Sequence, residues 1–125
     1  MITEKLREVL STPPDSALAI ITRGTDGPHV VNSWNSYVMI TEDEKLLIPA
    51  GRMFQTEKNI DADSSVKMTI TNREVEGKTY KGTGFLVEGT ASFEKDGPEF
   101  DALKNKFPWA RAALVITIRS LEQTL

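Results

Sequence analysis

Two stretches of this chain combine residue types that hold small molecules. The first is Gly27-Pro28-His29-Val30-Val31-Asn32-Ser33-Trp34-Asn35-Ser36-Tyr37, and the second is Gly51-Arg52-Met53-Phe54-Gln55-Thr56. The first has strand composition after a turn signal, yet its polar and aromatic residues fall on both faces instead of alternating with apolar ones. Read as a strand, Val31, Ser33, Asn35 and Tyr37 share one face, and Val30, Asn32, Trp34 and Ser36 the other. Each face then offers hydrogen-bonding groups beside ring or aliphatic surface, the mixture a small-molecule pocket requires. A barrel strand with an irregular polar layer is the other reading of the same residues.

Composition narrows the chemistry. The chain has 125 residues, 39% hydrophobic and 26% charged, which suits one globular domain spanning 1–125 with its own core. A formal net charge of −3 argues against general nucleic-acid binding, which needs a concentrated basic surface. The absence of cysteine removes disulfide, thiolate and zinc-ribbon chemistry. One histidine cannot make a multi-histidine metal site and leaves little for an imidazole-based hydrolase. No apolar run reaches membrane-spanning length and no signal-like N-terminus is present, so a cytoplasmic protein without membrane partners is expected.

The elements that must position these residues follow in order. Ile2, Leu6, Val9 and Leu10 fall at helical spacing with Thr3 as cap, predicting a helix over Glu4 to Ser11 that Pro13-Pro14 ends. Ser16 to Thr22 reads as a buried strand, and Thr25-Asp26-Gly27 turns it into the first stretch, which runs as strand to Ile40. Glu42-Asp43-Glu44 makes a further turn into a strand over Lys45 to Pro49. Gly51 breaks that strand, and Met53 to Asp61 has the composition of a short helix. Val66 to Thr71 alternates as a half-exposed strand. Asn72 to Lys81 is expected to be a long exposed connection, and Gly84 to Phe93 the next strand. Gly82-x-Gly84 lacks the third glycine of a dinucleotide fingerprint and is set aside. Asp96 caps a helix with Pro98 early and Glu99 three residues on, Pro108 closes it, and Leu114 to Arg119 forms the last strand. Six strands with little helix suggest a small barrel whose closure removes sheet edges.

Taken together, several segments resemble the FMN-binding split barrels related to pyridoxamine 5'-phosphate oxidase. The resemblance rests on Gly27-Pro28-His29-x-Val31-Asn32-x-Trp34-Asn35-Ser36-Tyr37, Pro49-x-Gly51-x-Met53-x-x-Thr56-Glu57, Gly82-Thr83-Gly84-Phe85-Leu86, and Trp109 to Thr117 with Glu122-Gln123-Thr124-Leu125. It covers nearly the whole chain. It implies a mainly β fold, a six-stranded antiparallel Greek-key split barrel with two or three short helices, forming a homodimer with an FMN at each end of the interface. Carried over, it implies that the FMN phosphate lies against Val31, Asn32 and Ser33 and against the loop Arg52, Gln55 and Thr56. The flavin ring is then expected near Trp34, Tyr37, Trp109 and Leu125, with the backbone of Pro49, Ala50 and Gly51 at its polar edge and Thr83 in the same pocket. One departure stands out: relatives carry lysine where this chain has Gln55 and glycine where it has Arg52, so the phosphate-binding cation has an alternative home within the loop.

Plainer roles compete at each position. Arg52 reads equally as a solvated cation, Trp109 as a core or interface anchor, Leu125 as a frayed end and His29 as a structural residue of the hairpin. No dedicated acid, base or nucleophile is evident. The function implied is therefore an FMN-binding electron carrier or redox protein, serving an unknown redox partner protein. The alternatives are an FMN-dependent oxidase or reductase acting on a small substrate, and a non-catalytic flavin-binding module. Haem would need His29 as its axial ligand, which the turn disfavours.

Overall fold

The computed structural model describes residues 1–125. Helix α1 (Glu4–Ser11) begins where the Thr3 hydroxyl accepts from the Leu6 N–H, and it buries Leu6, Val9 and Leu10 on one face. Strands β1 (Ala17–Gly24) and β2 (Gly27–Trp34) form the expected hairpin. A single 3-10 turn over Asn35–Tyr37 leads to the two-residue strand β3 (Met39–Ile40), and β4 (Lys45–Ala50) returns antiparallel to it. Helix α2 (Phe54–Ala62) is followed by β5 (Ser65–Glu76), β6 (Lys81–Glu94), helix α3 (Pro98–Lys106) and β7 (Ala112–Gln123).

All pairings are antiparallel, in the order β2-β1-β5-β6-β7-β4-β3. The expected six-stranded closed barrel is therefore corrected to a seven-stranded sheet whose edges, β2 and β3, do not pair. The reason is local. The first stretch does not run straight to Ile40; it breaks after Trp34, where Asn35 Nδ2 donates to the Thr71 and Val9 carbonyls and the Asn35 N–H donates to the Ser16 carbonyl. Those bonds pin Asn35, and the chain turns instead of extending. Because only four residues lie between Trp34 and Met39, these strand ends stay within about 18 Å at the reach of an extended chain. The sheet is accordingly curled: Leu18 and Ile20 of β1 and Leu46 and Ile48 of β4 lie in one buried cluster with β5, β6, β7 and α1.

A smaller cluster under α3 covers the other face of β4 and β7, with Leu47, Leu103, Phe107, Ala110, Ala113 and Val115. β4 from Leu46 and β7 as far as Ile116 are thus buried on both sides, which is why these segments read as apolar runs. Pro49 is tolerated within β4 because β3 pairs only as far as Leu47, so the missing N–H faces no neighbouring strand.

Two further expectations are revised. Asn72 to Lys81 is not a long exposed connection: β5 continues to Glu76 and β6 starts at Lys81, leaving four residues between them. Alternation persists to Asn72, whose side chain is buried and donates to the Val9 and Thr12 carbonyls, and beyond it the register shifts. At α3 the cap is Gly97, with no side-chain cap bond, in place of Asp96.

Candidate functional site

The second stretch and the segment before β7 are built into one unit. Phe107, Trp109 and Tyr37 form an aromatic group, with ring centroids 5.2 Å apart for Tyr37–Phe107, 5.6 Å for Tyr37–Trp109 and 5.8 Å for Phe107–Trp109. Phe107 anchors the group in the cluster beneath α3, while Trp109 remains 50% exposed, so its ring is held from one side and open on the other. Gly51 lies directly under the indole: a Cβ there would come within 3.3 Å of Trp109 Cε3 and Cζ3. Glycine is what lets the ring settle on the backbone.

From Gly51 the chain passes through Arg52 to Met53, whose backbone is left-handed (φ 59°, ψ 35°), and enters α2 without a side-chain cap. The first intrahelical bond runs from the Glu57 N–H to the Met53 carbonyl, and none of the N–H groups from Arg52 to Thr56 finds an acceptor within the protein. A run of free amides at a helix N-terminus attracts anions. The Thr56 hydroxyl, wholly buried in the same turn, also lacks a partner. The Arg52 side chain is exposed and takes part in no hydrogen bond or ion pair; only its carbonyl is engaged.

That carbonyl accepts from Arg111 Nε at 3.0 Å and Nη2 at 2.6 Å, while the Arg111 N–H donates to the Ala50 carbonyl at 2.9 Å. The third guanidinium nitrogen, Nη1, pairs with Glu57 at 2.8 Å, and the guanidinium lies 4.3 Å over the Phe54 ring. Glu57 also meets Lys95 at 2.8 Å. Its carboxyl is held below the ordinary carboxylate range chiefly by the Lys95 hydrogen bond; burial opposes this, and the Arg111 hydrogen bond and charge add to the lowering. Arg111, Glu57, Lys95 and Phe54 were not among the expected ligand-site residues. Arg111 lay within the Trp109 to Thr117 segment that carries the resemblance, as a cation just before the apolar run Ala112 to Ile116.

The remaining expected residues fall into two other groups. On β2, Val31 packs against the main core and Ser33 is buried, whereas Asn32 and Trp34 face outward; Asn32 Nδ2 donates to the Leu18 carbonyl, and Trp34 is 47% exposed. Asn35 and Tyr37 leave that strand for the 3-10 turn, which delivers Tyr37 to Trp109. Gln55 bonds to Asn59, and Asn59 to Thr22, so its side chain leans along α2. At the far ends of β6 and β7, the Thr83 hydroxyl donates to the Leu125 carbonyl at 2.7 Å, and Gln123 Nε2 donates to both. Leu125 keeps its side chain 58% exposed beside a recess of about 630 Å³ that Arg73, Lys78 and Lys81 also line. No hydrogen bond or ring contact joins this group to Trp109 within the chain. A recess of about 660 Å³ on β1, β5 and β6 is lined by Arg23, Lys67, Glu88 and Arg119 and has no aromatic wall.

The sequence pattern of the pyridoxamine 5'-phosphate oxidase family matches residues 2–124. The chain belongs to this family. It is 50% identical over 111 residues to the FMN-binding protein of Nitratidesulfovibrio vulgaris (strain Miyazaki F), covering 89% of this chain and 90% of that protein. Among solved structures, the fold is shared with an FMN-binding protein from Syntrophomonas wolfei (TM-score 0.73, 15% identity, 98% of this chain and 85% of that one). It is also shared with a putative pyridoxamine 5'-phosphate oxidase from Lactobacillus delbrueckii (TM-score 0.71, 18% identity, 97% and 93%). The fold is thus kept at low identity. No helix here is long and apolar enough to cross a membrane.

Proposed function

We propose that the chain binds FMN and works as a redox protein of the electron-carrier type. The observation that carries this reading is the junction of an open aromatic wall, Trp109 on Tyr37, with a turn whose amides from Arg52 to Thr56 are free and whose Arg52 guanidinium is unpaired. The first suits a flat ring and the second a phosphate, and they adjoin through Gly51. The 50% identical relative named as an FMN-binding protein supports the same ligand.

Bound there, FMN supplies reversible electron transfer in its ring. Arg52 and the turn amides would hold the phosphate dianion with Gln55 and Thr56 at its margin, while Val31, Asn32 and Ser33 of β2 are assigned to it by the family resemblance alone. Trp109 and Tyr37 cover the ring and exclude water. Beyond Leu47 the β3 side of β4 has no partner, so the Pro49 carbonyl and the Gly51 backbone would meet the ring's polar edge, while Ala50 turns its carbonyl to the Arg111 N–H. No side chain in this region is placed as an acid or base, which favours outer-sphere electron transfer over chemistry on a bound substrate.

The wall is open on one side, and the Thr83–Leu125 group stands apart from it within one chain. A homodimer reconciles both: the partner brings Leu125 and Thr83 over the ring, and the outward Trp34 is covered at the interface. The partner protein that gives or takes electrons would then meet the exposed rim, in the cytoplasm. An absorption spectrum with dithionite and NADH titrations tests the function. A yellow protein reduced by dithionite and inert to NADH is the expected result, rapid NADH oxidation would make it a reductase, and a colourless protein that ignores added FMN ends the reading. Light scattering of the holoprotein should give a dimer.

A further inference from the structure

We propose that Arg111 is the positioning residue of the phosphate site: it keeps the first turn of α2 open by occupying the carbonyls that would otherwise close it. This rests on the FMN reading above and adds a residue and a device to it. In a helix continued backwards by one turn, the Phe54 N–H would donate to the Ala50 carbonyl and the Thr56 N–H to the Arg52 carbonyl. Both carbonyls are already taken, the first by the Arg111 N–H at 2.9 Å and the second by two guanidinium nitrogens at 3.0 and 2.6 Å. The helix therefore starts at Phe54, its leading amides stay unpaired, and Met53 is held in its left-handed conformation. The buried, partnerless hydroxyl of Thr56 in this turn is a second group left waiting for a ligand.

Each of the three guanidinium nitrogens already serves the Arg52 carbonyl or Glu57, the guanidinium face rests on Phe54, and Glu57 is further balanced by Lys95. Arg111 acts through the turn, and Arg52 remains the unpaired cation. The fork is what the role needs, since a lysine ammonium is a single point that cannot serve one carbonyl from two nitrogens while pairing with a carboxylate.

The test compares FMN with riboflavin, which lacks the phosphate, by tryptophan quenching in the wild type, Arg111→Lys and Arg111→Met. Alongside it, amide hydrogen exchange is followed in the apoproteins. Arg111→Met retains the stem over Phe54 and removes every side-chain donor. It should raise the FMN Kd about 10- to 100-fold, the usual loss when a supporting partner of a binding site is removed. Riboflavin should keep its wild-type affinity, and the Thr56 amide of the apoprotein should gain protection as it captures the released Arg52 carbonyl. Arg111→Lys should fall between the two. Unchanged FMN affinity, or equal loss of both ligands with Thr56 exchange unaltered, overturns the proposal. If instead the wild type binds FMN and riboflavin equally, the phosphate reading fails, while the exchange result still reports on whether Arg111 holds the turn open.

Discussion

Two regions that expose apolar surface are built to different standards. The turn from Gly51 to Phe54 is fastened by Arg111 through two carbonyls, a carboxylate and an aromatic face, and Trp109 lies on it through a glycine contact. The end of the chain at Leu125 is fastened by Thr83 and Gln123 on its main-chain oxygen and by the Thr124 N–H on the Gly84 carbonyl. The first region has its geometry settled within a single chain, as a site for a specific anion requires. The second offers an exposed side chain at the end of a short tether. Under the proposed function, the more heavily bonded region supplies the directional donors and the less bonded one supplies apolar cover.

The largest test of the contrast removes the free cation of the fastened region. Arg52→Ala should weaken FMN by roughly 1.5–3 kcal/mol and leave riboflavin unchanged, as measured by fluorescence titration. Adding Gln55→Lys should recover much of that loss, more at low salt, because a second cation then approaches the same dianion. Equal losses for both ligands would reassign Arg52 to the support of the turn.

Next comes the wall. Trp109→Ala should cost about 1–3 kcal/mol, the range for an aromatic side chain stacked on a flat ring system, and here FMN and riboflavin should suffer alike. Loss confined to FMN would place Trp109 at the phosphate end and reverse the orientation of the pocket.

The C-terminal tether predicts a smaller effect. Thr83→Val removes a hydroxyl that both donates to Leu125 and accepts from Gln123, and should cost about 0.5–1.5 kcal/mol of thermal stability at most, because Gln123 still reaches the Leu125 carbonyl. Flavin affinity should fall only in the dimer. A Thr83→Val monomer that loses affinity would break the comparison.

The smallest effect is a pH dependence confined to acid. Glu57 has its carboxyl lowered from an ordinary 4.5 by Lys95 and Arg111, so it stabilises the folded chain fully above that value. The contribution is lost as the pH falls through the depressed folded value. Thermal melts of wild type and Glu57→Gln should therefore converge as the pH drops below about 4.5, with the variant the flatter of the two. Parallel curves across that range would detach Glu57 from the brace.

Several elements were legible without coordinates. Helix α1 matched its expected span because Thr3 and the Leu6, Val9, Leu10 spacing are local signals that tertiary contacts reinforce. The alternation of β5 was readable for the same reason: one face meets water and the other the core, so period two survives in the residue types. Gly51 and Trp109 were both expected at the ring end of the site, and the structure brings these two together.

Other features belonged to the fold alone. Whether the stretch after Trp34 extends or turns was decided by Asn35 reaching carbonyls 26 and 36 residues away, and no local propensity encodes those partners. The role of Arg111 was decided by a carbonyl 59 residues back in the chain, and the tether of Leu125 by a hydroxyl 42 residues back. A sequence determines which groups are available and how each short segment prefers to lie. Which donor finds which carbonyl depends on strands that meet only after the sheet has curled, and in this protein those meetings build the candidate site.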